Sequence, residues 1–311
     1  MTESTERPDV LEAAARSVVM LRAEVPEDGF TASILGTERV GSGIVIRSDG
    51  LVLTIGYLIT EAETIWLTTA DGTAVPAHAL AYDYVTGFGL VAPLGRVSLP
   101  ALQFGRSSAV EVGSSVTVIS HGGRGHSLAT KVVDKREFAG YWEYLVDEAL
   151  FTAPAHPHWS GAALVSSDGK LVGVGSLLVQ EPVGGETVDA NMFVPIDLLP
   201  PILDDLASQG RAPRQPRPWL GLYATESQGQ LVVNGLATDG PAARAGVKLG
   251  DRVLEVAGQR VGGLSDLFRK VWRLGPAGTE IPLTLARGQS RSRVQVRSTD
   301  RDELLKKPLR H

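Results

Sequence analysis

Short apolar runs broken by turn residues fill roughly the first two thirds of the chain. "GIVIRSDGLVLT", "IWLTTADGTAVPAHAL", "VTVISHGG" and "ALVSSDGKLVGVGSLLV" alternate or cluster apolar residues over strand lengths. Three Asp-Gly steps, at 49–50, 71–72 and 168–169, lie between such runs. Asp-Gly accepts the positive φ of turns that match strand twist, so each step predicts a hairpin. Many short strands at this spacing predict a mainly β region, a sandwich or a barrel. The period changes at "VPIDLLPPILDDLASQG" (194–210). There Leu198, Leu199, Ile202, Leu203 and Leu206 recur at helical spacing, and Gly210 marks a stop. "RAPRQPRP" (211–218), with three prolines and three arginines, predicts a stiff, extended linker. Beyond it, a compact unit mixes strands with a helix around "SDLFRKVWRL", which puts Leu267, Phe268, Val271 and Leu274 on one side. Residues 1–10 are polar and predicted to be loose, and the charged end "RDELLKKPLRH" is predicted to fray.

Composition narrows the class. An apolar fraction of 43% and a charged fraction of 21% are those of a soluble globular protein, and 311 residues suggest one large or two ordinary domains. There is no cysteine, which excludes disulfides and thiolate metal sites. The net charge of −5 gives no electrostatic case for nucleic acid. No basic stretch followed by an apolar run opens the chain, and "SVVML" is too short for a signal peptide or a membrane span. The expectation is a cytoplasmic protein that does not engage a membrane.

The candidate chemistry starts at "AHPHWSGAALVSSDGKLVGVGS" (155–176), where Ser160 precedes Gly161. A serine hydroxyl attacks only with a base in hydrogen-bond reach, and that base needs an orienting group. Six histidines are available: His78, His121, His126, His156, His158 and His311. His156 and His158 read as solvated loop residues, as a replacement base, or as metal ligands lacking a spaced third partner. His121 and His126 lie in a glycine-rich stretch that reads as a turn rather than a phosphate cradle. Asp83 reads as a turn-forming aspartate. Ser160 itself reads either as a nucleophile or as part of a turn kept for its backbone.

From about residue 10 to 298 the chain resembles the HtrA/Do (Deg) group, trypsin-like serine proteases of the S1 type with a C-terminal PDZ domain. The resemblance rests on "GSGIVIRSDGLVLT", "EAETIWLTTADGTAVPAHALAYD", "LPALQFGRSSAVEVGSSVTVIS", "WSGAALVSSDGKLVGVGS" and "NMFVPIDLL" in order. In the second half it rests on "DGPAARAGVKLGDRVLEVAGQRVGGLSDLFRKVW" and "WLGL". It implies a mainly β fold: a trypsin-like double β-barrel over 11–210, a linker over 211–218, an α+β PDZ domain over 219–299, and a tail over 300–311. It also implies where a catalytic triad belongs. The histidine step reads "LTIGYLIT", so Tyr57 stands at that position, and the aspartate step reads "TGFGLV", so Gly87 stands there. The serine step reads "HWSGAA", so His158 replaces the glycine whose N–H, with that of Ser160, forms the oxyanion hole. A phenol of ordinary pKa near 10 is a poor base at neutral pH, and glycine has no group to orient one. The expectation is a pseudoprotease; the alternative is a serine endopeptidase of protein quality control with a rearranged site at Ser160.

The PDZ part shows no comparable loss. The resemblance implies capture of peptide or protein C-termini with apolar ends by β-augmentation. Trp219, Leu220, Gly221 and Leu222 would form the carboxylate loop, followed by "YATES". Leu264, Leu267, Phe268 and Val271 would face it. Leu267 and Val271 read equally well as core, and Trp219 as a residue packing the linker. No cofactor or metal is implied. A homotrimer through "LEAAARSVVMLRAE" is an expectation from the resemblance, which also favours the periplasm.

Overall fold

The three Asp-Gly glycines take the conformation that turns require. Gly50, Gly72 and Gly169 have φ of +87°, +87° and +79° in the computed structural model, which describes residues 7–306. Residues 1–6 and 307–311, and with them His311 and parts of both terminal expectations, lie outside the described residues.

Six antiparallel strands close the first barrel. They are β1 (Val18–Glu24), β2 (Glu38–Val45), β3 (Val52–Ile55), β4 (Thr64–Thr68), β5 (Ala74–Tyr82) and β6 (Phe88–Pro93), in the order β1-β2-β3-β6-β5-β4. A helix, α1 (Arg7–Ala15), precedes them. In β1 the side chains of Val19, Leu21 and Ala23 are buried, while Arg22 and Glu24 face solvent. Half of the segment expected to serve assembly is a barrel strand, paired with β2 and β4.

The second barrel repeats the plan. β7 (Ser115–Ile119), β8 (Ser127–Gly140), β9 (Tyr144–Ala153), β10 (Ala163–Val165), β11 (Leu171–Val183) and β12 (Glu186–Pro195) close as β10-β11-β12-β9-β8-β7. The expected helix over 194–210 is interrupted. Ile196–Leu198 form a 3-10 turn, and the α-helix α3 covers only Leu203–Gln209. Pro200 and Pro201 lie between them; proline lacks the N–H a helix needs and pushes the preceding residue out of α space. Gly210 ends α3 at φ +74°, as expected.

The turn that carries Tyr57 is fixed from behind. After β3 the chain makes one 3-10 turn, Gly56–Leu58. Arg39, 4% exposed, donates to the carbonyls of Tyr57 (2.7 Å) and Thr60 (2.9 Å). It also donates to Thr31 Oγ1 (2.8 Å), just before the short helix α2 (Ala32–Leu35). Glu61 accepts from the N–H groups of Phe30 and Thr31, which closes a buried network around that turn.

The chain divides into two compact units, and the division is not contiguous. The second holds residues 214–305 together with 137–147, the tip of the β8–β9 hairpin. Its sheet runs β13 (Leu222–Ser227), β14 (Gln230–Leu236), β15 (Arg252–Val256), β17 (Glu280–Arg287), β18 (Ser290–Arg297), with β16 (Gln259–Arg260) paired to β15. Two helices, α4 (Pro241–Arg244) and α5 (Leu264–Arg273), accompany it. Leu264, Leu267, Phe268 and Val271 of α5 are buried, whereas Leu274 lies past the last helical turn and is exposed. Part of the expected linker is fastened down: Pro216 accepts from Ala277 N–H, and the Arg217 guanidinium lies 4.0 Å from the Trp272 ring centroid. The start of the expected frayed tail is ordered as well. Asp300 caps a 3-10 turn at Arg301–Glu303, and Arg301 donates to Trp142 O.

One ion pair anchors this second unit. Arg287 grips the fully buried Asp251 with two bonds of 2.7 Å, which hold the Asp251 carboxyl below its ordinary pKa. Arg287→Met is expected to destabilise the unit by about 2–3 kcal/mol in urea unfolding, the order of hydrogen bonds to a buried charge. The depressed pKa means this contribution is present above the ordinary aspartate pKa and is lost as pH falls through the lowered value. The variant should therefore lose part of the acid-side decline; an unchanged midpoint and acid profile would show that the pair contributes nothing.

Candidate functional site

The structure brings Tyr57 and Ser160 together, 103 positions apart in sequence. Tyr57 Oη lies 2.8 Å from Ser160 Oγ and 2.8 Å from the carbonyl oxygen of Ser176. A phenol has one proton, and the carbonyl can only accept. Ser160 and the Ser176 carbonyl thus compete for that proton, and when the carbonyl takes it the serine is left donating to a neutral phenol oxygen. Neither arrangement draws the proton from Ser160. Desolvation of the inward hydroxyl pushes the Tyr57 pKa up to about 12, so phenolate is scarce at neutral pH.

The position that would orient a base carries backbone only. Gly87 is buried, with φ +87°, and its carbonyl accepts from Gly56 N–H at 2.8 Å. The Tyr82 ring lies against Gly56, where an added Cβ would come within 2.0 Å of it. Asp83 forms the turn expected of it, with Oδ2 accepting from Thr86 N (2.9 Å) and Thr86 Oγ1 (2.7 Å).

His158 changes the loop in a way its sequence position only hinted at. Its N–H, which an oxyanion hole would use, donates to His156 Nδ1 at 3.0 Å. The other nitrogen, Nε2, lies 3.1 Å from His126 O, so His156 is the neutral tautomer protonated at Nε2. Desolvation holds its pKa down, in keeping with that state. His156 is buried, not the solvated loop residue expected, and both its nitrogens are committed. His158 is exposed. Neither ring is a partner of the Ser160 hydroxyl. His121, His126, His156 and His158 nevertheless converge, with ring centroids 5.7–6.4 Å apart. Among the described residues no group of three or more His, Cys, Asp or Glu side chains is placed to hold a metal. Gly122 and Gly123, at φ +102° and +75°, serve a turn. A cavity of about 810 Å³ opens beside the loop, lined by Pro154, His156, Pro157, Trp159, Leu178 and Val188 among others.

In the second unit the residues expected to form a carboxylate loop close on an acid of the same chain. Trp219 pairs with Thr299 through both backbone groups. Gly221 has φ +66°, and a Cβ there would meet the Trp219 ring at 2.8 Å and Ala237 Cβ at 2.9 Å. The N–H groups of Leu220, Gly221 and Leu222 converge on Glu143 Oε1, at 3.1, 2.7 and 3.3 Å. Burial pushes the Glu143 carboxyl up to about 7, against the pull of these N–H groups and Arg301. β13 is the edge strand of its sheet, and Glu226 on it accepts from Leu264 N–H at the start of α5. Trp219, Leu220, Leu222, Leu264, Leu267, Phe268 and Val271 are all buried. Ala139 and Leu145 of the hairpin tip pack onto the same apolar cluster, so α5 presents no open apolar face.

Sequence reasoning missed Glu143. Its signal was "YWEY" (141–144), an acid set among aromatics at a hairpin tip, where a solvated turn would carry polar residues.

Comparison with known proteins follows the same lines. Residues 41–174 match the trypsin-like peptidase domain, and residues 218–297 match the PDZ domain. A probable periplasmic serine endoprotease, DegP-like, of Halomonas elongata is 29% identical over 271 residues, covering 83% of this chain and 56% of the relative. Its counterpart in Pseudomonas fluorescens is 27% identical over 272 residues, with the same coverage. The chain thus spans about half the length of the curated relatives it matches. Among solved structures, the HtrA-type protease AlgW with a decapeptide superposes with a TM-score of 0.57 at 20% identity, covering 98% of this chain and all of the other. The serine endoprotease from Yersinia pestis gives 0.56 at 22%, covering 96% and 99%. The relatives are named as periplasmic, which favours the periplasm and leaves the cytoplasmic expectation without support. Among the described residues no helix is long and apolar enough to cross a membrane. The chain thus carries a trypsin-like peptidase domain followed by a PDZ domain, these relatives are named DegP-like serine endoproteases, and its fold is that of HtrA-type proteases.

Proposed function

We propose that this chain is a catalytically silent HtrA-type protein that captures peptide or protein C-termini through its PDZ domain, in a scaffolding or regulatory role. The observation that carries the first half is Tyr57 Oη at 2.8 Å from Ser160 Oγ, in the place of a base. The commitment of His158 N–H to His156 supports it, because a tetrahedral oxyanion would find one donor fewer. Loss of triad members alone lowers turnover on the order of 10⁴ to 10⁶. The second half is supported by the carboxylate loop, in which three backbone N–H groups point at one carboxylate. Leu220, Gly221 and Leu222 would hold the terminal carboxylate, β13 would pair with the peptide backbone, and Leu264, Leu267, Phe268 and Val271 would back its apolar end. The ligands would be C-termini with apolar last residues, and assembly of several chains is a property the HtrA resemblance suggests. The names of the relatives support the contrary reading, a serine endopeptidase with a rearranged site at Ser160.

A fluorophosphonate probe separates the two readings. No stoichiometric labelling is expected; labelling that vanishes in Ser160→Ala would establish a live nucleophile. Restoring the triad residues in Tyr57→His/Gly87→Asp is expected to leave casein turnover at background, because position 87 has φ +87° and His158 N–H stays bound. Turnover rising a thousandfold or more, about 4 kcal/mol of barrier, would contradict this account of the site. For the PDZ domain, a library of free C-termini should select apolar ends. Gly221→Val should weaken the selected peptides at least about tenfold, since its Cβ collides with Trp219 and Ala237 and φ is positive there. Selection that ignores the free carboxylate would count against peptide capture.

A further inference from the structure

We infer that the β8–β9 hairpin tip, residues 137–147, is an intramolecular ligand of the PDZ domain, with Glu143 seated where a peptide's terminal carboxylate would bind. The inference rests on the reading of residues 219–222 as the carboxylate loop and adds that the loop is already taken. A C-terminal peptide must then displace the tip before it can bind.

The fit is that of a ligand rather than an incidental contact. A carboxylate in such a loop should accept several backbone N–H bonds at once. Glu143 accepts from three successive residues, the shortest bond, 2.7 Å, being to Gly221. The tip is held along the groove as well as at its end. Arg269 of α5 pairs with both Glu137 and Asp147, one on each limb of the hairpin. Tyr141 meets Tyr223 of β13 edge to face, with ring centroids 6.1 Å apart. Arg301 donates to the carbonyl of Trp142. The tip thus touches the loop, the edge strand and the facing helix, the three elements that a captured peptide uses.

Glu143 also has φ +62°, a conformation unfavourable for a residue with a side chain. A glycine or asparagine would suit the turn better. A glutamate there is explained by what its carboxylate does at the far end.

When the competent state is only partly populated, apparent affinity falls by the populated fraction. Removing the cap should return that factor. The test uses the full chain, native and as Glu143→Ala and Glu143→Gln, the second keeping side-chain size. The probes are labelled decapeptides ending in Ala, Val, Leu, Ile or Phe, each with a free carboxylate and as the amide. Both variants are expected to bind the free-acid peptides at least about tenfold tighter than the native chain, with the amides bound by none. Equal affinity in all three proteins would overturn the inference. Binding by none of them would overturn peptide capture itself. Hydrogen exchange at the amides of Leu220, Gly221 and Leu222 then decides the cap separately. Faster exchange in Glu143→Ala would uphold the seated tip, and unchanged exchange would overturn it.

Discussion

A backbone N–H aimed into a pocket must find an acceptor, and that requirement governs both loops at which this chain resembles a recognition site. Protease and PDZ folds each keep such donors ready for an oxygen from outside, a developing oxyanion in one and a terminal carboxylate in the other. Left unpaired and buried they are unfavourable by several kcal/mol at the upper end of transfer scales, about 2–7. In this chain the acceptors are internal. His156 Nδ1 takes the N–H of His158, and Glu143 takes those of Leu220, Gly221 and Leu222. The two cases differ in how readily they reverse. The His156 ring is buried, and its second nitrogen is bound to His126 O, so its commitment belongs to the packing of the barrel. Glu143 sits at a hairpin tip, on a backbone that its own side chain disfavours, and with a carboxyl that burial has brought near neutrality. The first is built into the barrel; the second rests on one side chain at a hairpin tip.

What the sequence disclosed follows the range of the interactions involved. Strands and their Asp-Gly turns are local, and Gly50, Gly72 and Gly169 take the positive φ that their turns require. The PDZ domain was legible for the same reason: Pro241 opens α4, and Gly221 has the positive φ of its loop. The proposal that Tyr57 and Gly87 stand where triad residues would could be read because each stands in a short, recognisable step. Their consequences could not. That His156 would be buried and tied to His158 depends on His126 O and Asn191, 30 and 35 positions away. That Glu143 would find Gly221 depends on a pairing 78 positions apart. The continuous helix expected over 194–210 failed locally instead, because apolar spacing outweighed the Pro200–Pro201 pair in the reading.

The Ser160–Gly161 step shows why a surviving motif is weak evidence for surviving chemistry. Gly161 has φ +72°, and a Cβ there would lie 2.0 Å from Ser42 O and 2.6 Å from Thr54 Oγ1. Only glycine fits. The carbonyl of Ser160 accepts from Ser42 N–H at 2.8 Å, and Ser42 O in turn accepts from Thr54 Oγ1. Ser42 Oγ holds the N–H of His121 at 3.0 Å. The backbone at 160–161 is therefore a junction joining β2, β3 and the loop after β7, and the barrels need that junction whatever becomes of the hydroxyl. The hydroxyl has acquired a partner of its own, Tyr57, which also bonds to Ser176 O. A phenol bridging the serine and the middle of β11 supplies packing and two hydrogen bonds where a catalytic imidazole would need mobility for its proton. On this reasoning the step persists for its main chain and Tyr57 for its fit, and neither requires the site to have kept its reaction.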